Sequence, residues 1–260
     1  MREVNGSGQI PVMRIRERVD TLTAGKDYAQ AARLLDYWRA EARALGDGRG
    51  EFVVLNEMMG VYRKMGDQEK AKKSALEAIA LIGKLENGDT ISAGTAYVNA
   101  GTVFDFCREP QKAVEYFEEA RKIYEKSLPD SDERLGGLYN NLAIALSDLG
   151  RYEEAFSYWE RALFIMGQQP HGGLEQAISY LNMANACEAM KGLEEAEEDI
   201  TSYLERAEGL LKDPSIPQNG YYAFVCEKCA PTFSYYGWFL TAKELQDTAE
   251  QIQSRYASEE

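Results

Sequence analysis

The two thiols of "CEKC", Cys226 and Cys229, have the tightest spacing of metal-binding or redox-active residue types in this 260-residue chain. A structural zinc ion takes four sulfur or nitrogen ligands. The other two cysteines, Cys107 and Cys187, lie far off in sequence and supply no second close pair. A redox pair would follow a strand at the start of a helix, and no strand pattern precedes this one. On a helix, residues three apart share a face, so core packing is the expected role of both thiols. His171, in the loop "GQQPHGG", is the sole histidine. A single imidazole with no marked nucleophile gives no basis for a Ser–His–Asp or Cys–His arrangement and rules out a two-histidine metal site. There is no phosphate-binding loop or dinucleotide fingerprint, and carboxylate runs such as "EEAEED" (194–199) read as solvated helix faces. No enzymatic activity, metal or cofactor is expected.

The formal net charge of −14 leaves no basic face for phosphates, which argues against a nucleic-acid partner. No apolar run has the length of a signal peptide core or a membrane span, so no membrane partner is expected and a cytoplasmic location is the default. Four cysteines are too few for a disulfide framework in a chain of this length. Residues 1–10, "MREVNGSGQI", read as a flexible leader.

The elements themselves announce a repeat. Ala155 follows "GRYEE" and has Trp159 four and Ala162 seven residues further on. Ala113 has Phe117 and Ala120 at the same offsets, Ala71 has Ala75 and Ala78, and Ala196 has Ile200 and Tyr203. These alanines stand 42, 42 and 41 residues apart, the signature of a stacked helical array. Before each comes an i, i+3, i+4, i+7 stripe that defines one helical face. The stripes are Leu55, Met58, Met59, Tyr62; Tyr97, Ala100, Gly101, Phe104; Tyr139, Leu142, Ala143, Leu146; and Tyr180, Met183, Ala184, Cys187. Gly66, Gly150 and Gly192 fall at the turns, where a left-handed backbone ends the first helix. In "SLPDSDERL" (127–135), Pro129 stops one helix and Asp130, Ser131 or Asp132 caps the next.

This pattern of aromatic, leucine, small residue, glycine and alanine resembles the tetratricopeptide repeat, most clearly in "YNNLAIALSDLGRYEEAFSYWERAL" (139–163). The period of about 42, with "KIYEKSLPDSDERLGGLYNNLA" (122–143), is similar to the long repeats of kinesin light chains. The resemblance implies an all-α fold, a right-handed superhelix of about six helix pairs. Their approximate ranges are 11–46, 50–86, 90–128, 131–168, 172–212 and 218–257 in one array, the last serving as a C-terminal cap. The first and last pairs fit less well; the last has Pro231 inside its first helix and the bulky "FSYYGWF" (233–239) near its turn. The aromatic group Tyr221, Tyr222, Phe224, Tyr235, Tyr236, Trp238 and Phe239 is expected to pack that cap, with self-association or docking as the other reading.

In proteins of this kind the first helix of each pair faces the concave side. Fourteen residues before Ala113, Ala155 and Ala196 stand Asn99, Asn141 and Asn182. Asn140 flanks the middle one, Asn185 lies one turn beyond the last, and Asn56 is one position out of register. An amide offers both a donor and an acceptor, so a column of amides can pair with an extended peptide backbone whatever its side chains. The family resemblance implies that role; solvating the surface or bonding a neighbouring helix is the other role open to them. The register holds Glu57 in the second pair and Glu17 in the first, which confines the expected groove to the middle and C-terminal pairs. Two turns along lie Arg63 and Lys64, then Asp105, Asp148 and Glu188, which would favour a ligand with positive charge over pairs three to five. Val98 and Leu181 beside the column argue against the cationic clamp by which some family members hold carboxylate-ended tails.

The expected function is a non-enzymatic scaffold that binds a peptide or protein partner in an asparagine-lined groove, as a monomer or weak homodimer. The alternative is a peptide-responsive regulatory sensor. The segment before the array is too short for a helix-turn-helix domain, so a sensor would act through protein contact.

Overall fold

The computed structural model describes residues 8–85 and 90–258, with side chains through Arg255. Residues 1–7 of the expected leader lie outside the described residues. The chain is all-α and falls into two compact units that divide between Leu128 and Pro129. The first holds α1 (Val12–Ala24), α2 (Tyr28–Leu45), α3 (Gly48–Lys64), α4 (Gln68–Lys84), α5 (Ile91–Phe106) and α6 (Pro110–Ser127). The second holds α7 (Glu133–Asp148), α8 (Tyr152–Met166), α9 (Gly173–Lys191), α10 (Leu193–Leu211), α11 (Gly220–Tyr235) and α12 (Phe239–Ser258). Each unit is a stack of three helix pairs. Except for α2, which packs most on α3, each helix packs first on its pair mate, and within each unit the first helices of neighbouring pairs also touch.

The repeat alanines explain why the pairs close so tightly. Ala31, Ala71, Ala113, Ala155 and Ala196 are fully buried and Ala242 nearly so, each leaving room for a large residue of the facing helix. The turn in front of each is sharp. Gly150, with φ of +73°, ends the first helix of its pair in the left-handed conformation that costs other residues about 1 kcal/mol or more. Arg108, with φ of +61°, takes that conformation in the third pair without a glycine's freedom.

Gly237 does the same in the sixth pair, φ +82°, five residues before Ala242, as Gly66 and Gly150 stand five before Ala71 and Ala155. That spacing carries the register into α11. Cys226, Cys229, Ala230 and Phe233 then fall at the stripe positions of Tyr139, Leu142, Ala143 and Leu146, and all four are buried. Burial pushes the Cys226 thiol up to about 11 and the Cys229 thiol up to about 12, so both stay protonated packing groups at neutral pH.

At the N-terminal end, Ile10 is buried and tied to the second pair. Asp47, the N-cap of α3, accepts from the Gly50 N–H at 2.9 Å with one oxygen and from the Ile10 N–H at 3.0 Å with the other. Asp47→Ala is expected to lower stability by about 1–2 kcal/mol, read as a lower urea midpoint with an unchanged slope. Asp47→Asn, which keeps an acceptor for the cap, is expected to lose less. An unchanged midpoint in Asp47→Ala would show that the cap and tether contribute nothing.

Candidate functional site

In the second unit, α7, α9 and α11 lie side by side, and each presents one face that its pair mate does not cover. Counting back 21, 18 and 14 residues from the repeat alanine gives three rows. They are Arg134, Glu175 and Tyr221; Gly137, Ile178 and Phe224; and Asn141, Asn182 and Lys228. Eight of these nine residues, all but Asn182, line an open recess of about 750 Å³. Asn140, Met166, His171 and Pro217 complete its wall.

The loops at the helix starts are held where the recess needs them. Asn219 caps α11 by accepting from the Tyr221 and Tyr222 N–H groups at 2.9 and 3.0 Å, and the Tyr222 hydroxyl donates to the Leu211 carbonyl at 2.7 Å. Gln169 donates to the Ser131 carbonyl at 2.8 Å, tying the loop before α9 to the start of α7. The Tyr221 hydroxyl donates to Glu175. The rings of Tyr221 and Phe224 stack with centroids 6.1 Å apart and planes at 26°, about half exposed on the α11 side.

Two of the four charged side chains that line the recess, Arg134 and Glu175, are already engaged. Arg134 donates to both oxygens of Asp132 at 2.8 and 2.7 Å, and this pairing holds the Asp132 carboxyl below the usual carboxylate range. Burial, together with the bond to Glu175, pushes the Tyr221 hydroxyl up, so it remains a donor. Glu133 is an exposed carboxylate on the α7 side. Lys228, exposed on the α11 side, makes no ion pair among the described residues.

The asparagines sort into two kinds. A residue one position before the column bonds to the column residue of the next pair in three places. The Nε of Arg16 donates to Glu57 at 2.8 Å. The Nδ2 of Asn99 donates to Asn56 at 3.1 Å, and Asn56 in turn donates to the Phe52 carbonyl at 2.9 Å. The Nδ2 of Asn182 donates to Asn140 at 3.4 Å, and the Ser179 hydroxyl donates to the same oxygen at 3.1 Å. Asn56 and Asn140 are 84 residues apart, two periods of forty-two, so they form a column of their own. The sequence places Asn56 one position out of register and Asn140 beside Asn141, and the structure gives the two the same role.

Lys228, the column residue of the sixth pair, lacks such a partner, because the fifth pair of the same unit carries the apolar Leu181 at that position. Asn141 makes no hydrogen bond among the described residues.

Among the other expected site residues, Arg63 and Asp105 interact within the first unit, where burial lowers the Arg63 pKa and the charge of Asp105 partly opposes that. Lys64 sits over the Tyr28 ring, 5.7 Å from its centroid. Asp148 is exposed. Glu188 accepts from the Tyr235 and Tyr236 hydroxyls, both at 2.8 Å, and Asn185 accepts from Tyr236 at 3.2 Å. The recess brings together Asn140 and Asn141 with Gly137, Ile178 and Lys228, three residues that sequence reading passed over. The signal for Lys228 was the spacing from Gly237 to Ala242, which places it fourteen residues before the alanine.

Comparison with known proteins agrees with the repeat architecture. A tetratricopeptide repeat family model matches residues 51–126 and 134–209. A kinesin-light-chain-type protein of Podosopora anserina with nearly identical TPR-like repeats is 19% identical, with a TM-score of 0.54 over 78% of this chain and 94% of that one. BtubC (BKLC) from P. vanneervenii is 20% identical, with a TM-score of 0.53 over 94% of this chain and 92% of its own. The apo form of RapI is 14% identical, with a TM-score of 0.62 over 96% of this chain and 86% of its own. No curated protein sequence matches the chain.

Proposed function

The chain belongs to the tetratricopeptide repeat family, a family of protein-binding scaffolds, and from that premise we propose that the recess of its second unit binds a short peptide segment through a carboxylate held between Asn141 and Lys228. The observation that carries this reading is the pair of open polar groups. Asn141 and Lys228 line the recess and have no hydrogen-bond or ion-pair partner among the described residues, whereas Asn99 and Asn182 are engaged by the preceding pair. An ammonium and an amide N–H both donate, and a carboxylate accepts from both with charge assistance. Leu181, whose type argues against a cationic clamp, offers Lys228 no hydrogen-bonding group from the fifth pair. The volume of about 750 Å³ lies within the range of pockets that enclose small ligands, about 300–1,000 Å³. It suits a segment of a few residues better than a folded surface.

The other asparagines then hold neighbouring helices in register. The test uses a fluorescein-labelled pool of five-residue peptides with randomised last three positions, with free or amidated C-termini. Asn141→Ala is expected to weaken capture of the free-carboxyl pool about tenfold, the lower end for a hydrogen bond to a charged group, with unchanged thermal stability. Asn99→Ala is expected to leave capture within twofold and to lower stability by up to about 1 kcal/mol, since it unpairs Asn56. Equal loss of capture in both variants would return the reading to a uniform asparagine ladder.

A further inference from the structure

We infer that the recess selects a ligand with a large apolar side chain next to its carboxylate, and that Gly137 makes the room for it. The inference rests on the carboxylate reading above and adds the second half of the recognised pattern. In the row where α9 carries Ile178 and α11 carries Phe224, α7 carries a glycine. A Cβ placed on Gly137 meets nothing within 4 Å, whereas one on the adjacent Gly136 would come within 2.7 Å of the Met166 methyl. Gly136 is therefore small because a helix packs on it, and Gly137 is bare on the side of the recess. On the other side of the same recess, beyond Ile178 of α9, stands the stacked pair of Tyr221 and Phe224, 46% and 53% exposed, an apolar wall.

This apolar gap and the polar pair have a fixed spacing. Asn141 follows Gly137 by four residues and Lys228 follows Phe224 by four, so each pair is stacked one helical turn apart, roughly 5–6 Å. That is the distance from the body of an amino-acid side chain to its own terminal carboxylate, or to the carboxylate of an adjacent acidic residue. An acidic group suits this end of the recess, because Lys228 has no counter-ion among the described residues and the exposed carboxylate Glu133 stands eight residues before Asn141, about two helical turns away. The recognised unit is an apolar residue beside a carboxylate, and the carboxylate has two possible sources that the test separates.

Two fluorescein-labelled series serve as probes on the full chain: Gly-Gly-Gly-X with a free C-terminus, and Gly-Gly-X-Asp-Gly-Gly with an amidated one. X is Gly, Ala, Leu or Phe, and Asn replaces Asp, or amide replaces carboxyl, in the controls. In at least one series, X = Leu or Phe is expected to bind at least tenfold more tightly than X = Gly, as burying a large apolar side chain allows. Gly137→Leu fills the gap from the protein side and is expected to cut that preference, read as the ratio of X = Leu to X = Gly affinity, below about threefold. Its melting temperature is expected to stay the same or rise, since leucine favours a helix over glycine and the site is open. Phe224→Ala is expected to reduce the preference without filling the gap. If carboxylate peptides bind but X = Leu or Phe has no advantage, or Gly137→Leu keeps the wild-type preference, this inference is overturned and the carboxylate reading stands. If neither series outbinds its carboxylate-free control, both fall together.

Discussion

Lys228→Glu is expected to weaken binding of a carboxylate-ended peptide at least a hundredfold, about 2.8 kcal/mol, while the fold keeps its stability. The size follows from the sign of the change. At 4 Å, two unit charges near a protein surface interact by about 4 kcal/mol at an effective dielectric constant of 20. The substitution replaces attraction by repulsion, and solvent screening takes back part of the difference. The fold is indifferent because Lys228 is exposed and makes no ion pair among the described residues. Lys228→Met, which removes the charge and keeps much of the stem, is expected to lose only about tenfold. Peptides with amidated ends are expected to respond to neither variant. Titration by fluorescence anisotropy at two salt concentrations checks all of this, with the wild-type affinity falling as salt rises. A Lys228→Glu protein that still bound the free-carboxyl peptides would place the carboxylate elsewhere.

The second large effect concerns packing in the first unit. Gly101 occupies the small position of the α5 stripe, and a Cβ there would lie 2.4 Å from the Phe117 ring. Phe117 is 1% exposed, so its ring has no free volume to move into. Gly101→Leu is expected to destabilise the chain by about 3 kcal/mol, the upper end of ordinary overpacking, despite the better helix propensity of leucine. Phe117→Ala in the same chain makes room for the new side chain, so the double variant is expected to recover part of the loss, with a coupling above about 1 kcal/mol. Gly60 is the control: nothing lies within 4 Å of its Cβ position, and Gly60→Ala is expected to stabilise by about 0.5–1 kcal/mol. Urea unfolding followed by circular dichroism gives all four values. A Gly101→Leu chain within about 1 kcal/mol of wild type would mean that α5 and α6 slide apart easily.

The repeat was legible because its physics is local and periodic. A buried alanine, a left-handed turn residue and an apolar stripe recur together, and only one spacing satisfies all three. Ala71, Ala113, Ala155 and Ala196 all proved to be fully buried contact points. Pro231 and "FSYYGWF" disguise the sixth pair, although Gly237 and Ala242 keep the five-residue interval of Gly66 to Ala71 and Gly150 to Ala155. That interval, once applied, turns "CEKC" into the apolar stripe of α11 and brings Lys228 into the asparagine column. The aromatic group divided in a way composition does not reveal. Phe233 and Tyr222 are buried in the cap, whereas Tyr221 and Phe224 face outward along α11. Which asparagines are engaged was also hidden, because a hydrogen bond between repeats depends on the residue one position earlier in the preceding pair. Asn140 accepts from Asn182 and Asn56 from Asn99, while Leu181 offers no hydrogen-bonding group to Lys228 of the next pair.

The side-chain amide resonances of the asparagines test the central claim most directly. In a nitrogen-15 spectrum of the full chain titrated with Gly-Gly-Gly-Leu bearing a free carboxyl end, the Asn141 side-chain signals are expected to move with saturating dependence on peptide. Those of Asn56 and Asn99 are expected to stay in place. Movement of Asn99 and Asn56 with Asn141 unmoved would contradict the account and put the ligand on the residues it assigns to holding the repeats in register.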